Sequence, residues 1–158
     1  MDERGYPFEV IPDEHIYKFE SVSANKKIHK AVLMTPTANE WLFNLALVDV
    51  DEDRLRDDVE SNNGDMPVIL ATVFQIVDHF LKIRPECIVM FRGNDSRRQR
   101  LYRIALSREL FRISEKFEIF GGQHGKAVPF TPNTDFELYY IKLRRHEGDK
   151  TIGRDQKI

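Results

Sequence analysis

The sequence has almost no cysteine, since Cys87 is the only one among 158 residues. A single cysteine rules out a disulfide within the chain and a cysteine-rich zinc site, and it favours a reducing compartment. No apolar segment of a secretory signal follows Met1, and no run approaches the roughly 18 apolar residues of a membrane-spanning helix. We therefore expect a cytoplasmic protein that does not associate with membranes.

The sequence also lacks an excess of charge of either sign. The 24 Lys and Arg residues nearly balance 26 Asp and Glu residues, for a net charge of −2. Overall charge therefore does not attract nucleic acid, and any site for a polyanion has to be a local patch. The length and the 41% hydrophobic content are typical of one globular domain. We assign this domain to residues 1–145 and expect a polar, frayed tail over 146–158.

Residue patterns predict strands, then a helix, a strand, helical segments and final strands. The expected strands are Tyr6–Val10, Ile16–Val22, Ile28–Met34, Trp41–Val48, Cys87–Phe91, Phe117–Phe120 and Phe136–Leu143. Asp49–Asp58 is expected to be a solvated connection, with a metal-binding loop as the less favoured alternative. Because the strands are grouped first and last, the sequence predicts an α+β fold. The expected architecture is a mainly antiparallel sheet with a long helix and a shorter Arg-rich helical segment packed on one face.

The long helix is expected from about Pro67 to Arg84. Apolar residues recur on one face at the spacing of an α-helix, at Leu70, Val73, Phe74, Val77, Phe80 and Leu81. Asp65 is a suitable N-cap for this helix. The second helical segment is expected to start with a capping box of Ser96 and Gln99, and a break near Leu106 is an open alternative.

The strongest candidate site is the start of this second helix. The first turn of a helix presents unpaired N–H groups and the positive end of the helix dipole, so it can bind phosphate. Gly93 permits close approach, and neighbouring polar and arginine side chains supply donors. The candidate phosphate-binding residues are Arg92, Asn94, Ser96, Arg97, Arg98, Arg100 and Arg103, with Asn62 and Asn63 from the turn before the long helix. The alternative interpretation is a capped, solvated helix whose arginines pair with nearby acids.

Other chemistry finds less support in the sequence. No two histidines lie at a spacing of three or four residues, so we predict no metal site. His29 and His124 are candidate acid–base groups only if a pocket brings them near the arginines. Gly93-Asn94-Asp95-Ser96 has one glycine, which is too few for an acyltransferase-like pyrophosphate loop. We expect no cofactor, and we cannot name a catalytic residue.

The chain resembles an uncharacterised bacterial family of unknown function. The resemblance rests on Ser61-Asn62-Asn63-Gly64-Asp65, on Gly93 followed by Arg98-x-Arg100-Leu101-Tyr102-Arg103, and on Phe117–Gly121. Members of the family are of similar length, so the resemblance covers nearly the whole chain. Members of that family carry Ser or Thr where this chain has Asn94-Asp95. The resemblance implies a compact bacterial cytosolic domain and no particular reaction.

The sequence thus favours a non-enzymatic module that binds nucleic acid or another phosphorylated ligand. A small enzyme, either a nuclease or an acyltransferase-like protein, is the first alternative. A protein-interaction or homo-oligomeric domain is the second.

Overall fold

The computed structural model describes residues 5–23, 26–51, 54–56, 65–93 and 95–144. The elements in chain order are β1 (Glu9–Ile11), a 3₁₀ turn (Pro12–Glu14), β2 (Ile16–Val22), β3 (Lys27–Pro36), β4 (Leu42–Asp51), β5 (Arg54–Arg56), α1 (Met66–Ile83), β6 (Ile88–Phe91), α2 (Ser96–Ile113), β7 (Phe117–Gln123), β8 (Lys126–Pro129) and β9 (Leu138–Leu143). The protein therefore has the predicted α+β fold, with mostly antiparallel strand pairing.

The chain forms two compact units, which are described separately. The first consists of Met1–Thr35 and Asn44–His79, and the second consists of Pro36–Phe43 and Phe80–Ile158. This division does not test the prediction of one domain over residues 1–145. The predicted tail from residue 146 lies outside the described residues.

In the first unit, β2 and β3 form an antiparallel hairpin, and β1 pairs with the opposite edge of β2. Side chains in β2 alternate between a covered and an open face, as a strand with one covered side requires. Those on the covered face are Tyr17, Phe19 and Ser21, and those on the open face are Lys18, Glu20 and Val22. The predicted strand Ile16–Val22 is confirmed.

Strand β4 extends further than the sequence predicts. It continues through Asp51, and β5 then pairs with it antiparallel, with Asp49 opposite Arg56 and Asp51 opposite Arg54. The prediction of a solvated connection over Asp49–Asp58 is therefore wrong at its start. Acidic residues have a low strand propensity, which the main-chain pairing with β5 outweighs here.

Helix α1 confirms the predicted helix within a residue at each end. Its buried face contains Leu70, Val73, Val77, Phe80 and Leu81, as predicted, and also Ile69 and Ile76. By length and apolar composition alone, this helix would also suit a membrane span, which was not anticipated from the sequence. Buried core helices meet the same criterion, and the finding is compatible with a soluble protein.

In the second unit, β6 pairs with β9, β9 with β7, and β7 with β8, each antiparallel. Strand β6 is apolar because it lies in the core, where Ile88 and Val89 are fully buried. The rings of Phe91, Phe130 and Phe136 surround the fully buried Tyr139 at centroid distances of 5.5, 6.0 and 6.1 Å. This aromatic cluster is the core of the unit.

Helix α2 differs in two respects from the sequence prediction. It runs unbroken over 18 residues from Ser96 to Ile113, so the alternative of a break near Leu106 is wrong. It is also as long as α1, so the predicted difference in length is wrong. Tyr102, Leu106 and Ile113 form its buried side.

Candidate functional site

The arginine-containing segment that the sequence singles out lies where β6 leads into α2. Arg92 follows β6 with an exposed side chain, and Ser96 is the first residue of α2 and is also exposed. Asn62, Asn63 and Asn94 lie outside the described residues. Whether those asparagines approach the arginines therefore stays a prediction.

Asp95 caps the N-terminus of α2. Its side-chain Oδ1 accepts a hydrogen bond from the Arg98 N–H at 2.8 Å, and its carbonyl accepts the first helical bond from the Gln99 N–H at 3.0 Å. The prediction that Ser96 is the cap is therefore wrong by one residue. Asp and Ser are similarly good caps, so sequence alone could not decide between neighbours. A carboxylate now occupies the place where a phosphate would bind.

The side chain of Gln99 bonds to the main chain on either side of this helix start. Its Oε1 accepts a hydrogen bond from the Gly93 N–H at 2.7 Å, and its Nε2 donates to the Phe136 carbonyl at 2.7 Å. A Cβ atom on Gly93 would lie only 2.4 Å from the Gln99 nitrogen and 2.7 Å from the Arg98 carbonyl carbon. Close packing therefore accounts for this glycine, and no open phosphate cradle is needed.

The predicted arginines have different surroundings. Arg103 forms an ion pair with Asp135, whose side chain is 90% exposed. Arg98 is half-buried, whereas Arg97 and Arg100 are exposed. The interpretation that arginines pair with nearby acids thus holds for Arg103.

Four arginines of α2 lie on its exposed side, and two of them are not among the sequence candidates. At about 100° per residue, Arg97, Arg100, Arg108 and Arg112 fall within a sector of roughly 120°, opposite the buried side. We call these four residues the arginine face. A continuous helical period would have placed Arg108 and Arg112 on the same side as the predicted arginines, but the possible break near Leu106 hid this relation.

The first unit contains a cavity of about 620 Å³ that the sequence did not indicate. It lies between the segment that precedes β1 and the outer part of β2. Its lining residues are Tyr6, Pro7, Phe8, Glu9, Lys18, Phe19, Glu20, Val22, His29, Lys30 and Val50. A volume between 300 and 1,000 Å³ is typical of small-molecule sites.

Tyr6 closes one end of this cavity through its hydroxyl group. The hydroxyl contacts Oδ2 of Asp65 and accepts a hydrogen bond from the Val22 N–H at 3.2 Å. The Ser21 hydroxyl donates to the same Asp65 oxygen at 2.5 Å. Desolvation and the hydrogen bond to Asp65 raise the pKa of Tyr6. The cluster fixes the segment before β1 against β2.

The sequence predicted that Asp65 caps α1, but its side chain does not bond to the start of the helix. Only its carbonyl joins the helix, by accepting the Ile69 N–H at 3.0 Å. Among the described residues, its buried Oδ1 has no hydrogen-bond partner. The hydroxyl groups of Tyr6 and Ser21 bind the carboxylate through its other oxygen, Oδ2.

A buried ion pair lies beside the cavity. The Lys30 Nζ is 2.6 Å from Oδ1 of Asp49, and the two side chains are only 6% and 12% exposed. Neither residue was a sequence candidate, because a lysine and an aspartate 19 positions apart give no local signal. Such a pair is costly to break, since either partner alone would be an uncompensated buried charge.

The candidate acid–base groups have different local surroundings. His29 lines the cavity, and its Nδ1 lies 3.4 Å from Glu20, with both side chains about half exposed or more. His124 lies in the exposed turn between β7 and β8 with a φ of 51°. Burial raises the pKa of the Cys87 thiol to about 11, so this thiol is a poor nucleophile. In the described part of the chain, no three metal-ligating side chains cluster.

The fold and these surfaces define an α+β protein with an arginine face on one helix and a small cavity beside a strand edge. Within that class, the chain belongs to the family of unknown function DUF6934, whose family model matches residues 2–144. This confirms the predicted resemblance to a family without a known activity. The chain matches no curated protein and no solved structure.

Proposed function

We propose that this protein is a non-enzymatic bacterial cytosolic module that binds nucleic acid through the arginine-rich helix α2. The observation that carries the proposal is the arginine face, because four exposed guanidinium groups follow one side of a single helix. Helix α2 contains six arginines and one acid, Glu109. This local excess of positive charge supplies the patch that the overall charge of −2 does not.

The geometry of the face suits an extended polyanion better than a single phosphate. From Arg97 to Arg112 the helix rises about 22 Å, which matches several successive phosphates of a nucleic-acid strand. Guanidinium groups bind phosphate oxygens in pairs of hydrogen bonds and remain charged at all physiological pH values. Contacts of this kind give affinity without reading sequence.

The proposal assigns the contacts to side chains and away from the helix N-terminus. Asp95 and Gln99 already satisfy N–H groups at that end, and the Asp95 carboxylate repels phosphate. Arg92, Ser96 and Arg98 are expected at the margin of the interface, together with Asn94 and the loop residues Asn62 and Asn63. Arg103 has a smaller expected role because Asp135 neutralises it.

Fluorescence anisotropy with short single- and double-stranded DNA and RNA tests the proposal. The variant Arg100→Gln/Arg108→Gln removes two charges from the face, and Lys26→Gln/Lys27→Gln removes two exposed charges from the β2–β3 hairpin as a matched control. We expect salt-sensitive binding that the first variant weakens at least tenfold and the second leaves within about twofold, since each phosphate contact contributes separately. The absence of salt-sensitive binding, or equal losses in both variants, would refute it.

A further inference from the structure

We infer that the cavity of the first unit binds a neutral planar heterocycle with a lactam edge, in which a ring C=O lies beside a ring N–H. Hypoxanthine and uracil rings carry such an edge. The inference does not rest on the proposed function of α2. Its evidence is the pattern of main-chain hydrogen bonds along β2.

The hydrogen bonds of the hairpin fix the direction in which each main-chain group of β2 points. Ser23 N–H donates to the Lys26 carbonyl at 3.0 Å, and Met34 N–H donates to the His15 carbonyl at 2.9 Å. Both bonds show that the odd-numbered residues of this stretch point their main-chain N–H and C=O groups towards β3. Since successive residues of a strand point their N–H and C=O groups to opposite edges, Glu20 points both groups away from β3 and towards the cavity.

Strand β1 does not reach Glu20. Its pairing with β2 ends at Glu9 opposite Lys18, and continuing that register would place Pro7 opposite Glu20. Proline has no N–H to donate to the Glu20 carbonyl, so the ladder stops. Val22, the next residue that faces this edge, bonds to the Tyr6 hydroxyl. Among the described residues, Glu20 therefore has a donor and an acceptor with no strand partner, side by side at the cavity.

A lactam edge is complementary to this pair of groups. The Glu20 N–H donates to the ring carbonyl, and the ring N–H donates to the Glu20 carbonyl, as in one hydrogen-bonded pair of an antiparallel ladder. The segment before β1 and Tyr6 limit the opening at both ends, so a compact ligand fits there better than another strand. The volume of about 620 Å³ suits a nucleoside-sized molecule.

Aromatic walls favour a planar ligand. Tyr6 and Phe19 are among the lining residues, and their rings stack on each other at a centroid distance of 6.1 Å and an interplanar angle of 18°. Phe19 is only 4% exposed, so Tyr6 is the ring of this pair that a ligand can reach. Phe8, also in the lining, packs edge-on against Tyr17. Flat apolar surfaces of this kind bury a flat ring, and offset or edge-to-face contacts add to the burial.

The charged groups of the lining favour a neutral ring over an anion because its two lysines already lie beside carboxylates. Glu9 is directly opposite Lys18 in the register of β1 and β2. The Lys30 ammonium contacts Asp49, and His29 lies beside Glu20. A histidine is charged only when protonated, so Glu20 has no fixed positive partner, and the lining offers no free positive charge to an anion.

Isothermal titration calorimetry with inosine tests the inference on the full chain. The ligand control is 1-methylinosine, which keeps the ring but lacks the lactam N–H. The protein variant is Glu20→Pro, which removes the cavity-facing N–H while leaving every β2–β3 hydrogen bond in place, and Glu20→Ala is its matched control. Far-UV circular dichroism checks that each variant is folded.

We expect saturable inosine binding by the wild type. Glu20→Ala keeps the main-chain N–H and loses only the side chain, so it is the reference against which Glu20→Pro is compared. Loss of one hydrogen bond should weaken binding about tenfold, both for 1-methylinosine and for Glu20→Pro. If Glu20→Pro does not fold, the comparison of the two ligands on the wild type still decides. The inference is overturned by no saturable inosine binding, by equal affinity for 1-methylinosine, or by preferential binding of N-acetylalanine methylamide, a peptide-like probe.

Discussion

The start of α2 in the second unit and the outer edge of β2 in the first both present main-chain groups that have no partner within their own element. At α2, the side chains of Asp95 and Gln99 supply the missing partners. At β2, the pairing with β1 stops before Pro7. The Tyr6 hydroxyl accepts a hydrogen bond from the Val22 N–H but leaves the main-chain groups of Glu20 without a partner from that segment. A glycine before a helix looks like a binding site in the sequence, but side chains can satisfy the main-chain groups there. A strand edge without any sequence signal can instead keep unpaired main-chain groups.

The two units also differ in how they place an ion pair, and this gives the largest expected effect. Lys30→Met would leave Asp49 buried without a partner, so we expect it to lower the free energy of unfolding by about 3–5 kcal/mol. Arg103→Met leaves Asp135 in water and should cost less than about 1 kcal/mol. Urea denaturation measures the free energy of unfolding of both variants. Equal losses would show that the buried and the exposed ion pair do not differ in their contribution to stability.

Gly93→Ala tests whether the start of α2 is closed by packing. The new Cβ would meet backbone atoms of Arg98 and Gln99, so we expect a loss of about 1–3 kcal/mol. Gly125→Asn is the control, since nothing lies within 4 Å of a Cβ there and Asn tolerates its φ of +75°. It should change stability by only a few tenths of a kcal/mol. If thermal or urea unfolding finds Gly93→Ala as mild as the control, the close approach is wrong.

Asp95→Ala would open the closed helix start. We expect it to destabilise the protein by about 1 kcal/mol because the cap is lost. Its affinity for nucleic acid should rise, since a carboxylate that repels phosphate is removed. Anisotropy and urea unfolding on the same variant separate these effects. A fall in affinity with an intact fold would argue against the proposed interface.

Tyr139→Phe has the smallest expected effect, and it tests the core of the second unit. Among the described residues the buried hydroxyl has no hydrogen-bond partner, so its removal should stabilise the protein by up to about 1 kcal/mol.

Alkaline pH provides a second readout for Tyr139. Burial raises the pKa of Tyr139 to about 12 in the folded state, so its contribution is complete below pH 10 and is lost as pH rises from 10 to 12. Urea unfolding across that range should show a shallower decline for Tyr139→Phe. An identical decline would show that this tyrosine does not contribute.

Local pattern was sufficient to predict most of the fold. The helical period of apolar residues placed α1 within a residue at each end, and the apolar runs of β2 and β6 were recognised as strands. Patterns failed where a distant partner decides the outcome. Asp49 lies within β4 because that strand continues into its pairing with β5, and its side chain is buried against Lys30. Asp95 caps α2, while Gln99 bonds to Gly93 instead of completing a capping box with Ser96.

The candidate site was only partly visible for the same reason. Arginines are conspicuous in sequence, so Arg97 and Arg100 were found, but the continuity of α2 was needed to add Arg108 and Arg112. The cavity depends on which edge of β2 faces Pro7. Pairing between strands that are distant in the sequence decides which edge this is, and composition does not predict such pairing.

The most direct test of the proposed function is the salt dependence of binding to duplex DNA. The wild type should be compared with a variant that has glutamine at positions 97, 100, 108 and 112. Each lost phosphate contact should flatten the log–log slope by about 0.9, so the variant slope should be shallower by about 3 to 4. Equal slopes and affinities for two folded proteins would contradict nucleic-acid binding by the arginine face.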